Sequence, residues 1–432
     1  LYWEKQLEIM PREELSLLQM ERLQETITNA QKTSFYRRLF ARNQIDPEKI
    51  KSPEDLKVIP PTTKADLREG FPFDFLATPL EDVVRLHSSS GTTGTPTVIY
   101  YTASDLDRWT NQVARSLYAV GMRKNDVFQN MMSYGLFTGG LGMHYGAERL
   151  GALTIPIGAG NSKRQIWFLK FFKSTAIHII PSYALLLAQL IKAEDLDPRR
   201  DFNIHIILLG AEPHSEETRH RIEEIYGAKA YNSYGLSEVN GPGVAFECVF
   251  QNGMHLWEDY YILEILNPQT LSPTAPGEVG EIVLTTIYRD ATPLIRYRTG
   301  DLAFLLDEPC PCGRTHRRIS RIQGRTDDMF IFRGVNVFPM QIEKVLMSSP
   351  EVGNNYRIVL EREDYRDTMI VEVEIKPELF SGDVQKLARL RERIQSELHS
   401  EILVTPEVVL VEPGSIPTPE GKVQRVIDRR PL

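Results

Sequence analysis

Four short runs of β-type residues set the fold class of this chain. They cover 127–131, 153–156, 176–180 and 204–209, and longer amphipathic stretches separate them. Between the last two runs, 182–193 carries apolar residues at helical spacing. This βαβα rhythm runs from about 80 to 240 and predicts a largely parallel sheet covered by helices. Ligands of such sheets collect at the carboxyl ends of the strands. The run ending at Leu209 leads into Gly210-Ala211-Glu212-Pro213, a loop of that type.

The flanking segments read differently. Residues 11–40 read as helical, because Leu15, Leu18, Leu23, Ile27 and Ala30 recur near a 3.6 period and Pro11 suits a first helical turn. From about 245 to 325 the pattern shifts toward β, with strands expected at 260–266 and 281–286. The end of the chain reads as a small α/β unit. Its expected strands are 356–361, 369–375 and 408–411, and its expected helices are 340–347 and 383–399. The predicted organisation is an α/β fold of two parts. A large N-terminal domain spans 1–326, with mostly parallel sheet and a β-rich part at about 245–325; a small C-terminal α/β domain spans 327–432.

A formal charge of −8 argues against nucleic acid or an anionic membrane as the main partner. No apolar stretch is long enough to span a bilayer, and the chain opens without a signal-peptide pattern, so the expected location is the cytoplasm. The three cysteines, Cys248, Cys310 and Cys312, argue against a disulfide framework. With His255 they supply three thiolates and an imidazole, a set suited to structural zinc. Three unpartnered thiols are the alternative, and His316 competes as the imidazole ligand.

Residues 88–97 read S-S-S-G-T-T-G-T-P-T between two β-type stretches. Such a loop offers many N–H and O–H donors and little bulk, so an anion can approach its backbone closely. The obvious anion is a polyphosphate. A Walker A loop is excluded, because Gly94 is followed by Thr95 and not by lysine. Four further segments carry chemistry. In 231–238, Y-N-S-Y-G-L-S-E, an aromatic ring can stack on a purine and a carboxylate can hold Mg²⁺. In 295–301, I-R-Y-R-T-G-D, a carboxylate past a tight turn can accept both ribose hydroxyls. Gly324-Arg325-Thr326-Asp327-Asp328 forms a polar joint before the small domain, suited to a hinge. Gly421-Lys422 puts a lysine on a Gly/Pro loop near the end.

In this order and spacing the segments resemble the adenylate-forming acyl-CoA synthetases, most closely their phenylacetate–CoA ligase branch. Features similar to that branch are S-Y-G-L-F-T-G-G at 133–140, Gly210 to Pro213, H-L-W-E-D at 255–259 and R-G-V-N-V-F-P at 333–339. The resemblance covers nearly the whole chain. It implies activation of a small aromatic acid by ATP to an acyl-AMP, transfer to coenzyme A, a mobile C-terminal domain and a homodimer. It also assigns residues. Ser88, Ser89, Ser90, Gly91, Thr92, Thr93 and Gly94 would grip the phosphates, and Glu238 would bind Mg²⁺. Tyr234 would stack on adenine, and Glu212, Pro213, Asn232, Ser233, Gly235 and Ser237 would also contact the cofactor. Asp301 and Arg325 would fix the ribose. Tyr134, Gly135, Phe137, Gly210 and Ala211 would surround the acid. Lys422 would catalyse adenylation, Asp327 would be the hinge, and the Gly334 loop would guide the CoA thiol. One departure stands out: Thr95 occupies the position where the family usually has lysine. Transfer to another acceptor, or nucleotide binding without catalysis, are the competing functions.

Overall fold

The first two strands, β1 (Val83–Ser88) and β2 (Val98–Thr102), form an antiparallel hairpin in which Ser88 stands opposite Val98. This computed structural model describes residues 1–89, 95–363, 366–379, 384–417 and 423–430. The alternating segment then supplies β3 (Val127–Asn130), β4 (Leu153–Ile155), β5 (Ala176–Ile179), β6 (Ile206–Leu209) and β7 (Lys229–Leu236). They lie in the order β4-β3-β5-β6-β7, all parallel. The intervening helices include Thr138–Leu150, Ser162–Phe171, Pro181–Ala193 and Glu216–Tyr226. Both β5 and β6 are buried at every residue, which is why these runs lack a polar alternation.

After β7 the direction of pairing changes. β8 (Gly241–Phe246) folds back antiparallel on β7 and continues into β9 (Met254–Leu256). β14 (Arg318–Ile319) and β13 (Leu305–Leu306) complete a nine-stranded sheet. A separate antiparallel sheet orders β10 (Tyr261–Leu266), β11 (Gly280–Thr286), β12 (Tyr297–Ala303) and β15 (Gly324–Arg325). The 245–325 region thus divides its strands between two sheets.

Past residue 329 come the hairpin β16 (Phe330–Phe332) and β17 (Val335–Val337), and a sheet ordered β20 (Glu407–Val411), β19 (Arg366–Ile375), β18 (Val352–Glu363), β21 (Val426–Asp428). The helix Val384–Ile402 turns Leu390, Ile394, Leu398 and Ile402 onto a hydrophobic core drawn only from residues past 329. The expected helix at 11–40 is instead two helices, Arg12–Ala30 and Ser34–Arg42. Thr33 restarts the second by accepting the Tyr36 amide at 3.1 Å, and Pro11 sits at the N-cap of the first, not in its first turn. Among the described residues no helix is long and apolar enough to cross a membrane.

Candidate active site

A cavity of about 620 Å³ opens where the carboxyl ends of β6 and β7 meet the edge of the β12–β15 pair. Gly210 ends β6 there. A Cβ on it would stand 3.2 Å from the Ser233 carbonyl oxygen, so a side chain would crowd the neighbouring strand. Ala211 follows at φ +66° and carries Glu212 into the interior. The Glu212 carboxylate accepts the Ser182 amide at 3.1 Å. Burial holds its pKa above the usual range, against the pull of Arg425 and Ser182.

One wall belongs to β7 and the turn after it. Asn232, Ser233, Tyr234 and Gly235 line it. A Cβ on Gly235 would fall 1.6 Å from the Gly241 carbonyl oxygen, so no other residue fits this β7–β8 crossing. The 3₁₀ turn Ser237–Val239 then presents Glu238. Its buried carboxylate accepts the Thr97 hydroxyl at 3.0 Å, and Lys64 Nζ lies 3.8 Å away. Ser237 Oγ lies 3.2 Å from Thr138 Oγ1. Thr97 also defines the base of the 88–97 loop: its carbonyl accepts the Ser89 amide at 3.2 Å, and its own amide donates to Ser89 Oγ at 3.1 Å. Ser88 donates its amide to the Leu136 carbonyl at 3.1 Å. Glu238 and the base of the serine- and threonine-rich loop are therefore joined directly. Ser90, Gly91, Thr92, Thr93, Gly94 and Lys422 lie outside the described residues.

An ordered polar chain runs from this wall to the β12–β15 pair. Tyr234 donates its hydroxyl to Asp301 Oδ2 at 2.9 Å. Arg325, directly across the ladder, pairs with the other Asp301 oxygen. The same guanidinium reaches Asp327 at 2.8 and 3.1 Å. Burial raises the Asp301 carboxyl even though Arg325 and Tyr234 favour its charged form. Burial, then the charge on Asp301, pushes the Tyr234 phenol well up. The four residues line the cavity together, linked in one chain from Tyr234 to Asp327.

Of the residues expected around the acid, Phe137, Gly210 and Ala211 line this cavity, whereas Tyr134 and Gly135 do not. The Tyr134 hydroxyl accepts from Asn130 Nδ2 at 3.0 Å and stands 3.3 Å from His144 Nδ1. Burial pushes its pKa to about 12. Gly334 lies in the β16–β17 turn, outside the cavity, at φ +82°. Glu212, Pro213 and Asp327 also border a second cavity of about 530 Å³, shared with Val423, Gln424 and Arg425. Sequence reasoning passed over Lys64, which reads as one more surface lysine behind a capping threonine. It also passed over Arg289, a buried cation whose Nη1 donates to the Glu238 carbonyl at 3.0 Å.

The four metal-ligand candidates converge beside the neighbouring strands β8, β9 and β14. The donor atoms of Cys248, His255, Cys310 and Cys312 all lie within 4.8 Å of one another, and all four residues are buried. Cys248 Sγ is 3.6 Å from Cys310 Sγ, and Cys312 Sγ is 3.3 Å from His255 Nε2. Tetrahedral zinc with bonds of about 2.3 Å to sulfur requires ligand separations near 3.8 Å, so the residues fit the ion. The neighbouring Cys248 and then His255 hold the Cys312 thiol far below its ordinary range, despite burial. His316 is occupied elsewhere: its Nδ1 accepts the Glu258 amide at 2.9 Å and its Nε2 donates to the Leu7 carbonyl at 3.0 Å. That bonding removes it as the competing ligand.

Comparison with known proteins agrees with this geometry. The family model described as AMP-binding enzyme matches residues 17–287, and the one described as AMP-binding enzyme C-terminal domain matches 334–430. The phenylacetate-coenzyme A ligase of Thermus thermophilus is 44% identical, with 99% of each chain covered. That of Escherichia coli is 42% identical over 97% of this chain and 95% of its own. Among solved structures, 2-hydroxyisobutyryl-CoA ligase in its postadenylation state, with 2-HIB-AMP, superposes with a TM-score of 0.93 at 32% identity. The same ligase in its thioesterification state, with 2-HIB-AMP and CoA, gives 0.74 at 33% identity. Each alignment covers 99% of this chain and 92% of the other. The two model matches, the full-length identity and the cavity shared by Glu238 and the Tyr234–Asp301–Arg325 chain lead to one conclusion: the chain belongs to the phenylacetate–coenzyme A ligase family of AMP-binding enzymes.

Proposed function

We propose that this protein activates a small aromatic carboxylic acid of the phenylacetate kind with ATP and transfers the acyl group to coenzyme A. It is an AMP-forming acid–CoA ligase. The observation that carries the reading is the single cavity in which Glu238, tied to the phosphate-loop base, faces the Tyr234–Asp301–Arg325 chain. The test is direct: phenylacetate, ATP and CoA must yield AMP, pyrophosphate and the thioester, and a screen of related acids ranks the substrates. No pyrophosphate with any arylacetic acid would overturn the substrate class.

A free carboxylate resists a thiol because its leaving group would be oxide. In the first step the carboxylate oxygen attacks the α-phosphorus of ATP and pyrophosphate leaves. In the second, the CoA sulfur attacks the acyl carbon, AMP leaves and the thiol proton is lost. Asp301, kept in place by Tyr234 and Arg325, accepts the ribose hydroxyls. Tyr234 offers its ring to adenine, with Glu212, Pro213, Asn232, Ser233, Gly235 and Ser237 around it. The loop from Ser88 to Gly94 donates to the β- and γ-phosphates. Lys64 offers a cation beside Glu238, in a chain whose loop has Thr95 where the family has lysine. Glu238 holds Mg²⁺, which when bound neutralises phosphate charge. Phe137, Gly210 and Ala211 border the acid, with Tyr134 and Gly135 behind them.

Lys422 stabilises the charge that develops on the α-phosphate and carboxylate oxygens, where a donor in a dry site contributes about 3–4 kcal/mol. Its neighbour Val423 borders a cavity together with Glu212 and Pro213, which supports that reach. The domains are 1–326 and 327–432, and the second turns about Asp327 between the two steps, bringing the Gly334 loop toward the CoA thiol. The closer superposition on the postadenylation form supports an adenylating pose here. Cys248, His255, Cys310 and Cys312 would hold a structural zinc, which would tie together the segments around β8, β9 and β14. The enzyme works in the cytoplasm as a homodimer, which fractionation and size-exclusion chromatography test.

A further inference from the structure

Two helices face each other across the boundary between the large and small domains, and each ends the other. The helix Glu216–Tyr226 of the large domain has Ser215 at its N-cap, with Ser215 Oγ accepting the Thr218 amide at 3.1 Å. A capping box would return an acidic or amide side chain from Thr218's position to the N-cap amide, and threonine is too short to do so. Glu343, on the small-domain helix Pro339–Ser348, takes that place. Its Oε1 accepts the Ser215 amide at 2.9 Å and the Thr218 hydroxyl at 2.7 Å. Its Oε2 accepts the Tyr356 hydroxyl at 2.9 Å, which fixes the carboxylate from within the small domain. All three contacts are buried.

The favour is returned further along. Arg221 projects from the Glu216–Tyr226 helix onto the end of the Pro339–Ser348 helix, where carbonyls have no intrahelical partner. Its Nη2 donates to the Met347 and Ser349 carbonyls at 2.9 and 3.1 Å. Its Nη1 donates to the Val352 and Gly353 carbonyls at 3.2 and 2.6 Å. A carboxylate lies on a helix N-terminus and a guanidinium on a helix C-terminus, so both charges also meet the favourable end of a helix dipole. Every one of these cross-boundary bonds depends on the present arrangement of the two domains.

We propose that Glu343 and Arg221 are positioning residues that latch the small domain in the adenylating pose, and that the latch opens before thioester formation. The inference rests on the two-step reading above. A turn of the small domain breaks these cross-boundary bonds, while the Glu343–Tyr356 bond, internal to the small domain, is kept. Cutting the latch therefore destabilises only the first pose.

The experiment measures each half-reaction separately in full-length Arg221→Gln and Glu343→Gln. Pyrophosphate release from acid and ATP without CoA should fall about tenfold, while thioester formation from supplied acyl-AMP and CoA stays within about twofold of wild type. Small-angle X-ray scattering of the same variants should shift away from the wild-type curve. Equal loss of both half-reactions, or no loss in either, overturns the latch. If the wild type releases no pyrophosphate with any acid, the functional reading fails instead. The scattering arm then decides alone, and curves identical to wild type overturn the latch.

Discussion

Replacing Tyr234 by Phe removes one oxygen from the cavity wall and leaves the ring. The lost hydroxyl donates to Asp301 Oδ2 at 2.9 Å, and Asp301 is only 6% exposed, so water does not take over the bond. A hydrogen bond to a charged group contributes about 1.5–3 kcal/mol. At about 1.4 kcal/mol per unit, losing it raises the Asp301 pKa by about one to two units. Burial already holds that pKa above the ordinary carboxylate range, so the change adds to an existing shift. In the proposed role the Asp301 carboxylate accepts the ribose hydroxyls when ionised, so nucleotide binding should be lost as pH falls through the Asp301 pKa. In Tyr234→Phe the acid limb of kcat/KM for ATP should move up by about one to two pH units. Near neutral pH, KM for ATP should rise about tenfold with kcat within about twofold, since the ribose contact is made equally in the ground and transition states. Pyrophosphate release measured against ATP between about pH 5 and about pH 9 reads both quantities. An unmoved acid limb together with an unchanged KM would refute the assignment of this pair to the nucleotide.

Lys422→Ala should abolish adenylation and spare thioester formation from supplied acyl-AMP; parallel loss of both steps would sink the role. Protein purified without chelator should carry about one zinc per chain, and Cys312→Ser should lower both zinc content and melting temperature. Elemental analysis without zinc ends that reading. His178 is buried, its Nδ1 lies 3.2 Å from Asn130 Oδ1, and burial lowers its pKa from 6.5 to about 3. A pKa lowered by folding means stability is complete above the unfolded value and is lost as pH falls toward the folded one. The loss amounts to as much as about 4–5 kcal/mol across that window. His178→Gln should flatten the acid side of the melting-temperature profile, and an unchanged profile would assign the acid loss to other groups.

The central strands and their parallel pairing were legible because a buried parallel strand leaves an apolar signature of its own length, whereas their order in the sheet was not. The runs at 176–180 and 204–209 correspond to β5 and β6 within a residue or two at their ends. What escaped was pairing across distance. No local pattern announces that β8 reverses on β7, or that β9 and β14 join the large sheet while β10 to β12 leave it. The break at Thr33 escaped because one helix was carried past Ala30 through the polar run Gln31-Lys32-Thr33-Ser34, where Thr33 caps the Tyr36 amide.

The sequence by itself determined which chemistries this protein carries. Serine- and threonine-rich turn, Y-G-L-S-E, Asp301, Arg325 and a Cys₃His set are properties of residue type and order, and each type restricts the chemistry open to it. Tertiary structure alone decided which of them meet. Cys248 and Cys310 are 62 residues apart, yet their sulfurs lie 3.6 Å from each other, because the pairing of β8, β9 and β14 brings the segments that carry them together. The same folding gave His316 two other partners and put Lys64, an unremarked lysine, next to Glu238. Charge, donor capacity and size are written in a side chain, but a site also needs separations of a few ångströms, and those are set by packing between segments far apart in the chain.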